Sequence, residues 1–230
     1  MVQIAGSTVV VTGGQRGIGK AIVEELLRRG AAKVYATARD PKPGNDDRIV
    51  TVPLEVTNDE SVAALAAAAS DANIVINNAG IAGALTFLGS DIDEIREQFE
   101  TNFFGAVRVA KAFAPVLANN GGGALVDIAS ALSWIAGFGG YGASKAALWS
   151  ATNSLRVELE GQGTQVVGAH LSYTDTDMTA AFDVAKNDAT DVARLVVDGI
   201  ENGAAEVLAD EDTRTYKAAL SGPAEGLRFA

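Results

Sequence analysis

Tyr141 and Lys145 lie four residues apart in the stretch "YGASK", which follows Ser130 and a run of small and apolar residues. At this spacing a phenol and an amine project from the same face of a helix, so the helix itself brings them together. A free phenol has a pKa of about 10, and a neighbouring cation favours its ionised form. The pair could therefore exchange a proton near neutrality. An exposed aromatic beside an exposed charge is the alternative for an isolated pair.

The glycine-rich turn "TGGQRGIG" at residues 12–19 is a second candidate site. It follows the β-branched run "STVVVT" and precedes apolar residues at helical spacing, so it joins a buried strand to a helix. Gly13 permits the sharp turn, Gly17 lets the backbone approach a pyrophosphate, and Gly19 lets the helix pack on the strand. Free N–H groups and the helix dipole favour an anion there, which predicts a dinucleotide site. Glycines that serve packing alone are the alternative.

Seven apolar segments have the composition of buried strands, and helical patterns alternate with them. We expect strands at residues 7–12, 33–38, 48–56, 73–77, 123–129, 165–171 and 205–209, and the later helices at 91–118, 141–160 and 189–202. Thr57 and Glu60 predict a capping box before the helix "SVAALAAAAS". Strands that are apolar on both faces predict an α/β fold with a doubly wound, Rossmann-like parallel sheet of seven strands and helices on both faces. One domain over residues 1–230 is expected at this length.

Composition and charge narrow the classes of partner. The formal net charge is −11 and no Lys/Arg cluster occurs, which disfavours binding to nucleic acid or an anionic membrane. Without cysteine there is no disulfide, thiol chemistry or thiolate metal site. The lone His170 is expected to be hydrogen-bonded at a strand end, and no metal site is predicted. The chain starts directly with a strand pattern and contains no membrane-spanning stretch, which predicts a cytoplasmic protein.

The order of these motifs closely resembles the short-chain dehydrogenase/reductase family over almost the whole chain. The matching features are "TGGQRGIG", "NNAG" at 77–80, Asn102 in the next helix, Ser130 after the fifth strand, and "YGASK" at 141–145. Any one of them is weak evidence, but the set in family order is specific. The resemblance implies hydride transfer between a nicotinamide cofactor and a carbonyl compound or secondary alcohol.

The resemblance also assigns roles to the catalytic residues. Tyr141 would exchange the proton at the substrate oxygen, and Ser130 would donate a second hydrogen bond to it. Lys145 would favour the ionised phenol and bind the nicotinamide ribose, and Asn102 would hold a water that links the lysine to solvent. Ser133 is the rival serine. Ser130 is preferred because it directly follows the apolar strand "ALVDIA".

A predicted cofactor site extends along the carboxyl edge of the sheet. A carboxylate at the end of the second strand would favour NAD, but this chain has Ala38 and then Arg39. Arg39, aided by Arg16, could bind the 2′-phosphate of NADP, while Asp40 opposes that preference. NADP is therefore expected, and NAD is the second choice. The predicted cofactor-binding set is Gly13, Gln15, Arg16, Gly17, Ile18, Gly19, Arg39, Glu55, Val56, Asn78, Ala79, Gly80, Tyr141, Lys145, Thr174 and Thr176.

The substrate side departs from the family pattern. The separation of eleven between Ser130 and Tyr141 is shorter than the family usually has. Four residues are predicted to line the substrate pocket: Leu132, Trp134, Phe138 and Tyr173. Packing beneath the loop or at a subunit contact is the alternative for Trp134 and Phe138. The substrate-side segment, about residues 172–190, is short for a lid, which predicts an open pocket that accepts bulky carbonyl compounds.

Together these features predict an NADPH-dependent carbonyl reductase that also runs in reverse as an alcohol dehydrogenase. A non-catalytic NADP(H)-sensing regulator is one alternative, and an epimerase or dehydratase that retains its cofactor is another. A regulator would need neither the phenol nor the proton relay. The expected partners are a small-molecule carbonyl or alcohol substrate and, from the family resemblance and the small-residue helix at 145–155, further copies of the chain in a homodimer or homotetramer.

Overall fold

The computed structural model describes residues 1–228 and contains one parallel sheet in that part of the chain. Its strands are β1 (Thr8–Val11), β2 (Lys33–Ala38), β3 (Ile49–Pro53), β4 (Ile74–Asn77), β5 (Gly123–Ile128), β6 (Thr164–His170) and β7 (Glu206–Leu208). Their order is β3-β2-β1-β4-β5-β6-β7, and every neighbouring pair is parallel. The prediction of a doubly wound seven-stranded sheet is confirmed. The predicted single domain stays a prediction, and its bounds include residues 229–230, which lie outside the described part.

Helices follow most of the strands. They are α1 (Gly17–Arg28), α2 (Asp59–Ala68), α3 (Ile92–Phe99), α4 (Ala106–Asn119), α5 (Gly139–Glu158), α6 (Ala189–Glu201) and α7 (Glu211–Ala219). A π-helical turn at Glu100–Gly105 joins α3 to α4 within the single helix that the sequence predicts. Helix α7 was not predicted, because its sequence "EDTRTYKAA" is mostly polar. Within residues 1–228, no helix is both long and apolar enough to cross a membrane.

Two apolar layers pack on opposite faces of the sheet. Alternate residues of β1 belong to different layers, as the two-residue period of a strand requires. Val9 and Val11 pack with α1 and α6, whereas Val10 packs with α2 and α4, and all three valines are fully buried. Helices on both faces leave the carboxyl edge of the sheet as the place where the loops after β1, β4, β5 and β6 meet, and the strand order reverses between β1 and β4.

The start of α2 differs from the predicted capping box. Asn58 is the N-cap residue, and its side-chain oxygen accepts a hydrogen bond from the Ser61 N–H at 2.8 Å. Thr57 instead donates its N–H and its hydroxyl to the Glu55 carboxylate, at 3.3 and 3.1 Å. The predicted Thr57–Glu60 capping box is therefore wrong. Asparagine is at least as good an N-cap as threonine, so the helix starts one position later.

Asn58→Ala is expected to lower the free energy of unfolding by about 1 kcal/mol, because it removes the acceptor for a free N–H at the start of the helix. Glu60→Ala is the matched control and should change stability by less than about 0.5 kcal/mol. Urea-induced unfolding of both variants measures the difference. A larger loss for Glu60→Ala than for Asn58→Ala would restore the capping box that the sequence suggests.

Candidate active site

Lys145 joins helix α5 to the carboxyl end of β5. Its ammonium nitrogen donates a hydrogen bond to the Ile128 carbonyl at 2.8 Å, and the side chain is buried. Tyr141 lies one turn earlier on α5, and the Lys145 nitrogen is 6.0 Å from the centre of its ring. The helical spacing thus places the phenol and the amine on the same side of α5, with the amine at the carboxyl end of β5.

Burial controls the protonation of the amine. It lowers the pKa of Lys145 to about 8, whereas the charge of Asp127, in β5, acts to raise that pKa. Asp127 is itself fully buried, where it accepts hydrogen bonds from Asn77 at 2.9 Å and from Thr152 at 2.7 Å. Burial raises the pKa of Asp127. The amine therefore titrates close to neutral pH beside a hydrogen-bonded carboxyl group.

Burial also controls the protonation of the phenol. It raises the pKa of Tyr141 to about 12, whereas a hydrogen bond with Ser130 acts to lower the pKa and Tyr173 raises it further. The sequence suggested that Lys145 would lower this pKa, but the amine is directed at the Ile128 carbonyl, and desolvation disfavours the phenolate. Tyr141 accordingly keeps its proton at neutral pH and is available as a donor.

Ser130 lies two residues beyond the end of β5. Its hydroxyl oxygen accepts a hydrogen bond from the Leu132 N–H at 3.1 Å and caps the short 3₁₀ turn Ala131–Ser133. Two cavities, of about 370 and 80 Å³, lie beside Tyr141. Ser130 lines both of them, whereas Ser133 lines neither. The structure therefore brings Ser130, rather than Ser133, to the phenol.

His170, the last residue of β6, lies behind this serine. Its Nδ1 is 3.2 Å from the Ser130 carbonyl oxygen, and the tautomer with a proton on Nδ1 donates a hydrogen bond there. Burial lowers the pKa of His170 to about 4, so the ring is neutral at pH 7. The prediction of a hydrogen-bonded histidine at a strand end is confirmed.

Asn102 lies in the π-helical turn and is almost fully buried. Its side-chain oxygen accepts from the Ile81 N–H at 2.9 Å, and its amide donates to the Ile81 carbonyl at 3.0 Å and to the Ser144 hydroxyl at 3.1 Å. These bonds fix the chain that follows β4 against α5. The role of Asn102 in a proton relay stays a prediction.

The glycine turn has the backbone conformation that its residues allow. Gly13 and Gly17 adopt φ angles of +64° and +50°, in the left-handed region that favours glycine. A Cβ on Gly19 would collide with the Gly13 carbonyl oxygen and the Asn78 amide. The open cradle before α1 therefore depends on glycine at each of these three positions.

Hydrogen bonds join this turn to the loop after β4. The Asn78 amide donates to the Thr12 carbonyl at 2.9 Å and to the Gly13 carbonyl at 3.2 Å. The Thr12 hydroxyl oxygen accepts from the N–H groups of Asn78 and Ala79, both at 2.9 Å. Two loops that are distant in sequence thus form one wall of a groove.

Two connected cavities make up this groove. One of about 370 Å³ extends from the glycine turn to Ser130, Tyr141 and Lys145, and one of about 120 Å³ continues to Arg39 and Glu55. Every residue of the predicted cofactor-binding set lines one of the two cavities except Gln15. Further lining residues that the sequence did not indicate include Ala82, Leu171, Asp177, Met178, Thr179 and Thr101. Most of them follow a strand end, which is the signal that could have identified them.

Gln15 is directed away from the groove. Its side chain donates to the Lys42 carbonyl at 2.7 Å and accepts from the Lys42 N–H at 2.9 Å. It lines a separate cavity of about 600 Å³ between α1 and the loop after β2. The prediction of a cofactor contact by Gln15 is corrected accordingly: its side chain holds that loop in place.

Arg16 and Arg39 give the far end of the groove a positive charge. Both side chains are exposed and line the smaller cavity, and neither is paired with a carboxylate within residues 1–228. The nearby Glu55 carboxylate accepts two hydrogen bonds from Thr57 instead. Two unpaired guanidinium groups at one end of a groove form a site suited to an anion.

A further cavity of about 80 Å³ opens beside Tyr141 and Ser130. Leu132, Phe138 and Tyr173 line it, as the sequence suggests, but Trp134 does not. Trp134 is buried, where it stacks on His170 with ring centres 4.1 Å apart and meets Trp149 edge-on at 6.0 Å. The predicted pocket wall at Trp134 is corrected to a place in the packing beneath the loop.

The substrate-side segment covers this cavity. Backbone hydrogen bonds between Asn187 and Tyr173 at 2.8 Å, and between Asp175 and Asn187 at 2.9 Å, fold the segment back on itself. The Asn187 amide also donates to the Asp210 carboxylate, the N-cap of α7, at 2.7 Å. The segment therefore supplies part of the wall of this cavity, and the open pocket expected from its short length stays a prediction.

Lys145→Met is expected to stabilise the protein by about 1–3 kcal/mol at pH 7, even with the bond to Ile128 lost, because it removes a buried ammonium group. Below the folded-state pKa of about 8, both folded and unfolded chains carry the proton, and the folded chain bears the full desolvation cost. As the pH rises from about 8 towards 10.5, Lys145 loses its proton in the folded chain before it does so in the unfolded chain. The gain in stability from Lys145→Met therefore becomes smaller.

Urea unfolding at pH 7 and at about pH 9.5 measures this change. Lys111→Met, at an exposed position on α4, is the control and should show no such dependence on pH. A Lys145→Met protein that is less stable than the original at pH 7 would contradict the desolvation argument.

The chain matches a known protein family and is similar to a solved structure of a short chain dehydrogenase. The family model described as short chain dehydrogenase matches residues 7–187. A short chain dehydrogenase from Burkholderia cenocepacia J2315, solved in complex with NADP, is 33% identical with a TM-score of 0.93, and the match covers 98% of this chain and 97% of that one.

Two curated relatives are named as reductases of ketoacyl compounds. The 3-oxoacyl-[acyl-carrier-protein] reductase FabG of Vibrio cholerae is 32% identical, over 81% of each protein. The ketoacyl reductase HetN of Nostoc sp. is 30% identical, over 94% of this chain and 82% of the relative. The family-model match, over residues 7–187, includes both the glycine turn and the Tyr141 region.

Proposed function

The chain belongs to the short-chain dehydrogenase family of oxidoreductases, and we propose that it is an NADPH-dependent carbonyl reductase that also runs in reverse as an alcohol dehydrogenase. The observation that carries the proposal is one groove with Tyr141, Ser130 and Lys145 at one end and Arg16 and Arg39 at the other. Its substrate is a small carbonyl compound, and the family resemblance supports a homodimer or homotetramer.

The residues of the groove fit a phosphorylated dinucleotide. The cradle before α1 needs glycine at Gly13, Gly17 and Gly19, and a helix N-terminus with free N–H groups favours a pyrophosphate. Arg16 and Arg39 supply two cations for a further phosphate on the ribose. The similar Burkholderia structure in complex with NADP supports the same choice of cofactor. NADPH, when bound, supplies the hydride.

Tyr141 and Ser130 act on the substrate oxygen. Carbonyl reduction places negative charge on that oxygen, and donors aimed at it stabilise the transition state. Tyr141, which keeps its proton at neutral pH, donates it to the forming alkoxide, while the Ser130 hydroxyl donates a second hydrogen bond. In the reverse direction the same phenol, once ionised, accepts the proton of the alcohol.

Lys145 supports the phenol as it changes charge. As Tyr141 gives up its proton, the nearby ammonium group stabilises the phenolate by charge attraction. The amine, with a pKa of about 8, exchanges protons near neutrality and can restore the phenol between turnovers. A regulator that only binds the dinucleotide would need no such pair of titratable groups beneath the groove.

Tyr141→Phe is expected to lower kcat for ketone reduction by at least ~100-fold, because it removes the proton donor but keeps the ring. NADPH binding, followed by fluorescence titration, should change little. Tyr35→Phe is the matched control, since this tyrosine lies away from the groove and donates to Ala68 and Asp71. A protein that binds NADPH and reduces none of a panel of ketones would support the sensing regulator instead.

Arg39→Asp is expected to shift the ratio of kcat/KM for NADPH over NADH by at least ~10-fold towards NADH, because it exchanges a charge-assisted hydrogen bond for repulsion. Arg39→Gln removes the cation without adding an anion and should shift the ratio less. Steady-state rates with each cofactor at a fixed ketone concentration measure the ratio. An unchanged ratio in both variants would overturn the assignment of Arg39.

A further inference from the structure

The cavity of about 80 Å³ beside Tyr141 has an apolar wall. Besides Tyr141 and Ser130, its surface is formed mainly by Leu85, Leu132, Phe138, Tyr173, Met178 and Phe182. None of the residues found to line it, among those the structure describes, is an aspartate, glutamate, lysine or arginine. A group placed there meets hydrocarbon and aromatic surface and finds no counter-charge.

The size of this cavity limits what it accepts. Its volume is room for about three water molecules at ~30 Å³ each, which suits a short hydrocarbon arm rather than a long chain. Tyr173 and Phe182 face each other across the covering segment with ring centres 5.4 Å apart. Hydrogen bonds from Asn187 hold that segment to itself and to Asp210 at the start of α7. The apolar wall is therefore fixed by neighbouring elements.

The covering segment carries mainly negative charge. Residues 172–187 contain Asp175, Asp177 and Asp183, all exposed, against a single cation, Lys186. Asp177 lines the larger cavity directly, and the whole chain has a formal charge of −11. A substrate attached to a phosphate-bearing or acidic carrier would bring like charge to this surface, which disfavours its approach.

We propose that the substrate is a small, uncharged ketone or aldehyde whose apolar arm occupies the cavity beside Tyr141, and that carboxylated and carrier-linked carbonyl compounds are rejected. This inference rests on the proposed reductase function. The carbonyl oxygen lies at Tyr141 and Ser130, and the arm lies against Leu132, Phe138 and Phe182. An ionised carboxylate in the same place loses hydration and meets no cation among the lining residues that the structure describes.

A matched pair of ketones tests the proposal. The carboxylate of 4-oxopentanoate and the isopropyl group of 5-methyl-2-hexanone are both short branched ends of similar size, so the two ketones differ mainly in charge and polarity. Calorimetric titration into the protein saturated with NADP⁺ should show at least ~10-fold tighter binding of 5-methyl-2-hexanone. With NADPH, kcat/KM for 5-methyl-2-hexanone should exceed that for 4-oxopentanoate by at least the same factor. Acetoacetyl-coenzyme A should be the poorest substrate of the three.

Met178 provides a variant that changes the charge of the cavity wall. It lines both cavities and is 44% exposed, so the fold tolerates a longer side chain there. Met178→Arg supplies a cation for the carboxylate. It should lower the ratio of kcat/KM for 5-methyl-2-hexanone over 4-oxopentanoate by at least ~10-fold. Met178→Leu keeps the wall apolar and should leave the preference within about twofold of the original.

The outcomes separate this inference from the proposed function. Reduction of 4-oxopentanoate or acetoacetyl-coenzyme A as efficiently as 5-methyl-2-hexanone would overturn the substrate class while the reductase function stands. Selective binding of 5-methyl-2-hexanone without any oxidation of NADPH would overturn the reductase function and support the apolar cavity. If Met178→Arg and Met178→Leu changed the ratio of kcat/KM for the two ketones equally, the role assigned to charge would be overturned.

Discussion

The hydrogen bond from the buried Lys145 amine to the Ile128 carbonyl is the interaction on which the site depends. It joins α5, which carries Tyr141, to the end of the strand that leads into Ser130. The same side chain is buried, and its removal from water disfavours the charged amine and lowers its pKa to about 8. Some folding stability is given up so that a group which titrates near neutrality lies beneath the phenol.

Polar side chains extend this arrangement to the rest of the groove. Thr12 and Asn78 link the loops after β1 and β4, and Asn102 links the chain near Ile81 to Ser144 on α5. A parallel sheet brings these loops to one edge, but it does not set the distances between them. Buried hydrogen bonds set those distances, so the groove is shaped by the protein itself.

The sheet and the positions of the motifs could be predicted because they depend on local patterns. Runs of β-branched residues mark strands, and Gly13 and Gly17 mark a turn that few other residues can adopt. The directions of Gln15 and Trp134 could not be predicted, since Lys42 and His170 meet them only in the folded chain. For the same reason, the position of the segment near 172–187 beside the pocket could not be predicted, because it depends on a contact with Asp210 that no local pattern reveals.

The most direct test of the account follows the hydride itself. The protein is incubated with 5-methyl-2-hexanone and NADPH deuterated at the transferring carbon of its nicotinamide, with each of the two prochiral positions labelled in turn. We expect one of the two cofactors to deliver deuterium to the carbinol carbon of the product, as measured by mass spectrometry and NMR. Alcohol without deuterium from either cofactor, or no alcohol at all, would contradict the account.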